Sequence, residues 1–360
     1  MNSKEPINWQ ASALKESKLT TFLLGILVVF AMGVVLNQLQ SIFKPLLIAI
    51  FLSFVFDPIV LLLRRAKVPK FIAIVVTLLI VFVIFYLLGL IIYASIASFL
   101  EEYPTYQAKF IKFYQGLLGN LNVHQTQIQE YIKEVKWGDL WKNLSLSSFI
   151  SSIAGSFVNF LMNLFLVLLF TVYIMLGKDH VLKKVKKAFP EDKTGRIPDI
   201  LKNINRGMEK YLVAKTFISL GTGAIATIIL YLFNIDFAIV WGLLTFLLNF
   251  IPNVGSTIAT IPPILVCFFQ YGSLFPTLWM SILLVSTQMT MGNVVEPRVM
   301  GKSLNLSPLV VIVSLIFWAI IWGPVGMILA VPISSAIQII CANIEKLRPI
   351  SVLLGGEESI

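Results

Sequence analysis

The amino-acid sequence predicts an all-α, polytopic membrane protein, and three observations point to that fold class. Hydrophobic residues make up 58% of the 360 residues, and charged residues make up only 13%. The mean hydropathy is +0.88. A soluble domain has about 45–50% apolar and about 25% charged residues. About eight apolar stretches, most of them long enough to cross a ~30 Å hydrocarbon layer as helices, follow one another along the chain.

These stretches are the predicted membrane segments. In chain order they are residues 19–36, 42–63, 71–99, 153–176, 212–233, 237–270, 274–291 and 306–344. The polar stretch before the first segment lacks a small-residue cleavage site, which favours an uncleaved helix over a signal peptide. The segments 237–270 and 306–344 are interrupted by polar residues, glycine and proline.

Basic residues gather in the loops between the segments. The formal net charge is +10, and residues 177–215 carry 11 Lys and Arg against 5 Asp and Glu. The positive-inside rule explains this charge without a nucleic-acid partner. It predicts that residues 64–70, residues 177–215 and both termini are cytoplasmic. Within the second basic stretch, the spacing of apolar residues over 196–210 predicts an amphipathic helix along the membrane or bundle surface.

The two interrupted segments predict an inverted repeat of broken hairpins. Apolar arms of about 14 residues flank the breaks at 251–257 and 322–326. The predicted tip residues are Pro252, Gly255, Gly323, Pro324 and Gly326. Each hairpin follows one full span, and the two spans run in opposite directions. Secondary transporters are often built from such repeats. Short arms favour re-entrant hairpins, and closely spaced full spans are the alternative.

The sequence predicts that the chain consists of five parts. They are N-terminal membrane helices at 1–99, an extracellular helical segment at 100–150, a membrane helix plus the basic cytoplasmic amphipathic helix at 151–211, the inverted-repeat core at 212–345 and a cytoplasmic tail at 346–360.

Polar residues around the first break, and two more at the end of the segment 274–291, are the candidate solute-binding groups. They are Asn249, Asn253, Ser256, Thr257, Gln288 and Asn293. Unwound backbone and helix termini at such breaks can bind polar solutes. Because an unpaired amide in hydrocarbon is costly, these side chains should face a cavity or one another. A hydrogen-bond network that only stabilises the hairpin is the alternative.

Glu296 and Arg298 form a second candidate site. The Glu296 carboxylate either pairs with Arg298 or a neighbouring lysine as a structural clamp, or titrates as a proton site. Asp57 is expected to be a helix-end residue or to form a salt bridge with Arg64 or Arg65, and a carrier site is the alternative. Few carboxylates lie in the predicted spans, whereas buried acids are the usual mark of proton relays. The sequence therefore favours a small polar organic solute over cation antiport.

Enzyme chemistry has little support in the sequence. His124 and His180 lie in predicted loops, and the chain contains neither an HExxH motif nor a phosphate-binding GxxxxGK[ST] loop. Cys267 and Cys341 lie in apolar stretches and are expected to be packing residues. We therefore expect no catalytic residue, no metal site and no cofactor.

Several motifs, taken in order, resemble the autoinducer-2 exporter family of bacterial membrane proteins. They are NFIPNVG at 249–255, NVVEPRVMG at 293–301, LSP at 306–308 and WGPVGMILAVP at 322–332, preceded by DP at 57–58. The resemblance covers essentially the whole chain. It implies an all-helical transporter of the bacterial cytoplasmic membrane with a peripheral extracellular helical segment, assembled as a homo-oligomer, with a pentamer expected.

The same resemblance implies export of a small polar solute, similar to the autoinducer-2 signal of quorum sensing. Because some family members are linked to sodium–proton antiport, a cation/proton antiporter is the first alternative. A non-transporting membrane scaffold is the second.

Overall fold

The structure is a computed structural model that describes residues 9–120, 146–188, 197–252, 254–300, 306–344 and 347–356. Helices are the only regular secondary structure in these ranges. They are α1 (Trp9–Gln38), α2 (Gln40–Arg65), α3 (Lys70–Asn120), α4 (Leu146–Ala188), α5 (Ile197–Leu232), α6 (Ala238–Leu248), α7 (Val254–Tyr271), α8 (Leu274–Thr290), α9 (Glu296–Met300), α10 (Pro308–Trp322), α11 (Pro324–Asn343) and α12 (Arg348–Leu354). A π-helical turn, Met291–Val295, joins α8 to α9.

Seven helical segments of the described chain are long and apolar enough to cross a membrane. They are Gln40–Arg65, Lys70–Ser95, Phe157–Lys178, Asn203–Leu232, Val254–Tyr271, Leu274–Met300 and Pro324–Asn343. Leu23–Gln38, Ala238–Leu248 and Pro308–Trp322 are apolar but shorter. The prediction of an all-α polytopic membrane protein is confirmed.

The N-terminal part of the bundle is built by α2, α3 and α4, which pack against one another. Its core holds Val60 of α2, Ile74 of α3 and Leu168 of α4. Across this bundle the Lys178 Nζ donates to Asp57 Oδ2 at 2.6 Å, and it lies 5.4 Å from the centre of the Phe54 ring.

The predicted salt bridge of Asp57 with Arg64 or Arg65 is therefore wrong. Both arginines are exposed on the last turn of α2. They lie seven and eight residues beyond Asp57, which is about 10–12 Å along a helix axis. Lys178 on the neighbouring helix α4 approaches the carboxylate from the side, so it is the nearer cation.

Three helices continue across the predicted part boundaries. Helix α3 has 51 residues and runs past residue 100, and α4 has 43 residues and begins before residue 151. Helix α5 has 36 residues and joins the predicted amphipathic segment 196–210 to the following span. The predicted amphipathic helix is thus the first part of α5 and is continuous with the span. The apolar face of the amphipathic segment continues the face of α5 that packs on the bundle. Met208, which lies on this face, is buried against Phe54.

Both predicted hairpins are present, and in each the two arms pack against one another. The arms are unequal, since α6 has 11 residues and α7 has 18, while α10 has 15 and α11 has 20. In the first hairpin, α6 is shorter and α7 is longer than the expected length of about 14 residues. Helix α7 restarts at Val254, inside the predicted break, and α11 restarts at Pro324, because proline is compatible with the first turn of a helix. The second arm of each hairpin is long enough to cross a membrane.

The tip glycines allow close backbone contact between the arms. A Cβ atom at Gly255 would overlap the carbonyl oxygen of Leu248, and one at Gly326 would overlap the carbonyl oxygen of Trp318. Gly323 makes the turn itself with a φ of +65°, a conformation that glycine adopts without steric cost. The two hairpins therefore share one local construction, in which the second arm begins against the last carbonyls of the first.

The C-terminal part includes a short helix rather than only a tail. Helix α12 packs on α11, Ser351 is buried, and the Ser307 N–H donates to the Leu354 carbonyl at 3.0 Å. This bond ties the end of the chain to the start of α10.

Candidate functional site

A cavity of about 250 Å³ lies where α5, the tip of the first hairpin and the end of α8 meet. The lining residues are Lys215, Asn249, Ile251, Pro252, Ser256, Gln288, Met289, Gly292, Asn293 and Glu296. The cavity therefore has room for a small solute and offers charged, amide and hydroxyl groups to it.

The structure brings together most of the residues that the sequence singled out near the first break. Asn249, Ser256, Gln288 and Asn293 all line the cavity, although they come from distant parts of the chain. Thr257 is not among the lining residues, and Asn253 lies outside the described residues.

Of the predicted tip residues and charged residues, some line the cavity and others do not. Pro252 and Glu296 line the cavity, whereas Arg298 is exposed and does not. Gly255 is buried against the end of α6. Gly323, Pro324 and Gly326 lie at the tip of the second hairpin and are not part of this cavity. The candidate site therefore belongs to the first hairpin and the α8–α9 junction.

Lys215 is the functional candidate that sequence reasoning missed. It was counted among the cytoplasmic basic residues, but it lies within α5, and its side chain is only 2% exposed. Its Nζ donates to Glu296 Oε1 at 2.6 Å, and the Glu296 side chain is 25% exposed. A buried ammonium is very costly without a counterion, so Glu296 makes this position possible. The partner of Glu296 is thus a lysine from another helix, not Arg298.

The sequence contains one signal for this site, a stripe of polar residues along one face of α5. Lys215, Ser219 and Thr222 are four and three residues apart and therefore share one face of the helix. All three are buried, with Ser219 and Thr222 fully enclosed. Polar residues at helical spacing inside an apolar stretch indicate a face directed into the protein rather than into lipid.

Asn249 is held in place by this stripe. Its Nδ2 donates to the Ser219 hydroxyl oxygen at 3.0 Å, and the asparagine is 9% exposed. A carboxamide has two N–H donors and one carbonyl acceptor. Ser219 takes one of these donors, so the bond orients the group while leaving capacity for a solute in the cavity.

The π turn shapes the opposite wall. In a regular α-helix, residues five apart, such as Gln288 and Asn293, differ by about 140° around the axis. A π turn bonds residues five apart, as the Glu296 N–H does to the Met291 carbonyl, and the wider turn reduces this offset. Pro297 favours the irregularity, because it has no N–H to donate to the Asn293 carbonyl. Both amides therefore reach the cavity.

Seven apolar helices of spanning length, together with broken helices around a polar cavity, define a polytopic membrane protein with the architecture of a transporter. Comparison with known proteins places the chain within this class. The family model described as AI-2E family transporter matches residues 24–346. The chain belongs to this family of transport proteins.

Two relatives are similar over nearly their whole length. A protein of Borreliella burgdorferi named "Putative transport protein" is 32% identical over 330 residues, which cover 89% of this chain and 86% of the relative. The AI-2 transport protein TqsA of Escherichia coli is 31% identical over 341 residues, which cover 92% of this chain and 94% of the relative.

Proposed function

We propose that the protein exports a small polar metabolite similar to autoinducer-2 across the bacterial cytoplasmic membrane, with both termini inside the cell. The observation that carries this proposal is the cavity beside the first hairpin, where Asn249, Gln288 and Asn293 surround the Lys215–Glu296 pair. The similarity to a relative named for AI-2 transport supports the choice of solute.

The geometry favours an organic solute with several hydrogen-bonding groups. Three amides and the Ser256 residue offer donors and acceptors on different sides of a space of about 250 Å³. Ligand sites commonly combine an apolar wall with a few placed polar groups, and Ile251, Pro252 and Met289 supply that wall here. Binding beside a broken hairpin also puts the solute next to the element that can move.

Cation/proton antiport is the second candidate, because Glu296 lines the cavity. A carboxylate that carries protons has to exchange them with the cavity during each cycle. Here Glu296 is held by the Lys215 ammonium at 2.6 Å, so the cycle would have to break a buried ion pair first. The pairing therefore supports the polar solute over the cation. We propose further that the protein works as a homo-oligomer.

Counterflow in sealed proteoliposomes tests the proposal against both alternatives. We expect unlabelled autoinducer-2 inside the vesicles to drive uptake of labelled autoinducer-2, with no uptake in protein-free vesicles. Proton-coupled movement of radioactive sodium without movement of autoinducer-2 would identify an antiporter. A scaffold would carry neither compound.

A neighbouring pair of residues provides a matched test of the site. Ser256 lines the cavity and Thr257 does not, although both lie in the first turn of α7. Losing one hydrogen bond to a solute in a site with little water costs about 1–3 kcal/mol, or roughly 5- to 150-fold in affinity. We expect Ser256→Ala to raise the half-saturating concentration of autoinducer-2 within that range and Thr257→Val to leave it nearly unchanged. Equal effects of the two changes would count against this cavity.

A further inference from the structure

The charges that line the cavity balance. Among its ten lining residues, Lys215 and Glu296 are the two that carry charge, and their signs are opposite. The Nζ–Oε1 distance is 2.6 Å, so the two charges act on the cavity from nearly the same place. The lysine side chain is 2% exposed and the glutamate side chain 25% exposed. A solute therefore meets the pair as a unit with no net charge.

Such a pair disfavours small ions of either sign. An anion is attracted by the Lys215 ammonium and repelled by the adjacent carboxylate. A cation is attracted by the carboxylate and repelled by the ammonium. The two effects nearly cancel, so the cost of removing the ion from water is not offset. A neutral hydroxyl or carbonyl group loses less hydration. It can also accept from the ammonium, which has three donors, or donate to the carboxylate.

Resting on the proposed function, we propose that the Lys215–Glu296 pair sets the charge selectivity of this cavity. With the pair intact, the cavity binds neutral hydrogen-bonding solutes and does not bind small anions or small cations. With one partner neutralised, it takes small ions of the sign opposite to the charge that remains. Both residues are specificity-determining, and neither has to exchange a proton for this role.

The chain contains a second ion pair that serves as a matched control. Lys178 and Asp57 are also 2.6 Å apart, with side-chain exposures of 26% and 23%. They lie between α4 and α2 and do not line the cavity. Neutralising one member of this pair changes the charge of the protein by the same amount, but it leaves the charge of the cavity unchanged.

The test measures ion binding through the thermal unfolding midpoint of the purified protein in detergent. The variants are Glu296→Gln, Lys215→Met, the double variant Lys215→Met/Glu296→Gln, and the controls Asp57→Asn and Lys178→Met. The probes are N-methylglucamine formate, which supplies a small anion, and methylammonium gluconate, which supplies a small cation. Ionic strength is kept constant with N-methylglucamine gluconate, whose ions are both much larger than the probes.

We expect formate to raise the midpoint of Glu296→Gln by about 2–4 °C, because a ligand that binds only the folded state stabilises it. Methylammonium should leave Glu296→Gln unchanged. Lys215→Met should respond to methylammonium and not to formate. The wild-type protein, the double variant and both control variants should respond to neither probe.

Equal formate shifts in the wild-type protein and in Glu296→Gln would overturn the proposal, as would the absence of a response in both single variants. If Glu296→Gln does not fold, Lys215→Met carries the test, because the carboxylate that it leaves unpaired is the more exposed partner. No solute flux enters this measurement. A failure of autoinducer-2 transport would therefore be seen separately from a failure of charge selectivity.

Discussion

Burying the charged side chain of Lys215 inside an apolar bundle costs free energy. Replacing a buried ion pair by well-packed apolar residues is often neutral or stabilising, so the Lys215–Glu296 pair does not gain its place through stability. Its position on the wall of the cavity that also gathers Asn249, Gln288 and Asn293 indicates a role in recognition.

The sequence predicted the neutral part of this site better than its charged part. Asn249 was identified because it lies beside a Pro- and Gly-containing break, and Gln288 and Asn293 because they are amides at the end of an apolar stretch. Lys215 was not, because a basic residue four positions into a predicted span cannot be told from the last residue of a cytoplasmic loop. Only the contact with Glu296, on the neighbouring helix α9, shows that Lys215 lies inside the bundle and not at the end of a loop.

The hydrogen bond between Asn249 and Ser219 allows a test of binding against internal stabilisation. Ser219→Ala removes the 3.0 Å partner of the amide but no group that lines the cavity. It should lower the unfolding free energy by about 1 kcal/mol and change the half-saturating autoinducer-2 concentration little. Asn249→Leu should raise that concentration by roughly 5- to 150-fold.

Counterflow and thermal unfolding of the same preparations measure both quantities. Similar flux defects in Ser219→Ala and Asn249→Leu would show that Asn249 acts through the hydrogen-bond network of the hairpin and not through the solute.

At the scale of the elements, apolar length and helix breakers were sufficient to predict both hairpins. They were not sufficient to predict the lengths of the arms. Proline and glycine mark where a helix can be interrupted, but α11 begins at Pro324 itself and α7 already contains Gly255 in its first turn. The π turn was missed because its hydrogen bonds leave no mark on the apolar periodicity, and Pro297, which has no N–H to donate, is the local signal for it.

The hairpin tips should tolerate no side chain larger than hydrogen at two positions. Gly255→Ala and Gly326→Ala each place a Cβ against a backbone carbonyl, which cannot rotate away as a flexible side chain could. Overpacking of this kind costs about 1–3 kcal/mol, and relieving it separates the arms. We expect both variants to have lower thermal unfolding midpoints in detergent and reduced autoinducer-2 counterflow.

Gly177→Ala is the matched control for these changes. It also adds one methyl group to a helix, but nothing lies within 4 Å of the new Cβ. A midpoint as low as that of the tip variants would mean that the chain responds to alanine in general and not to the contact between the arms.

At the scale of the whole molecule, the orientation in the membrane decides from which side each hairpin of the proposed inverted repeat enters. Each unit consists of one long helix followed by one broken hairpin, with α5 before the first and α8 before the second. If residues 183–200 are cytoplasmic, α5 runs outward, and α8 runs inward because the hairpin between them returns the chain to the same side. The two hairpins then enter from opposite sides, which is the arrangement that alternating access requires.

Cysteine labelling tests this orientation. Cys267 and Cys341 are buried and form no disulfide, so a background with both replaced by alanine should retain the fold. A cysteine placed at positions 105–140 should react with a membrane-impermeant maleimide in intact cells. Cysteines at Lys184 and Lys187, which are exposed on α4, should react only after permeabilisation, because the basic excess of that stretch keeps it inside. Reaction of these two positions in intact cells would reverse α5 and α8 together. The proposal that residues 183–200 and both termini lie inside the cell would then be overturned.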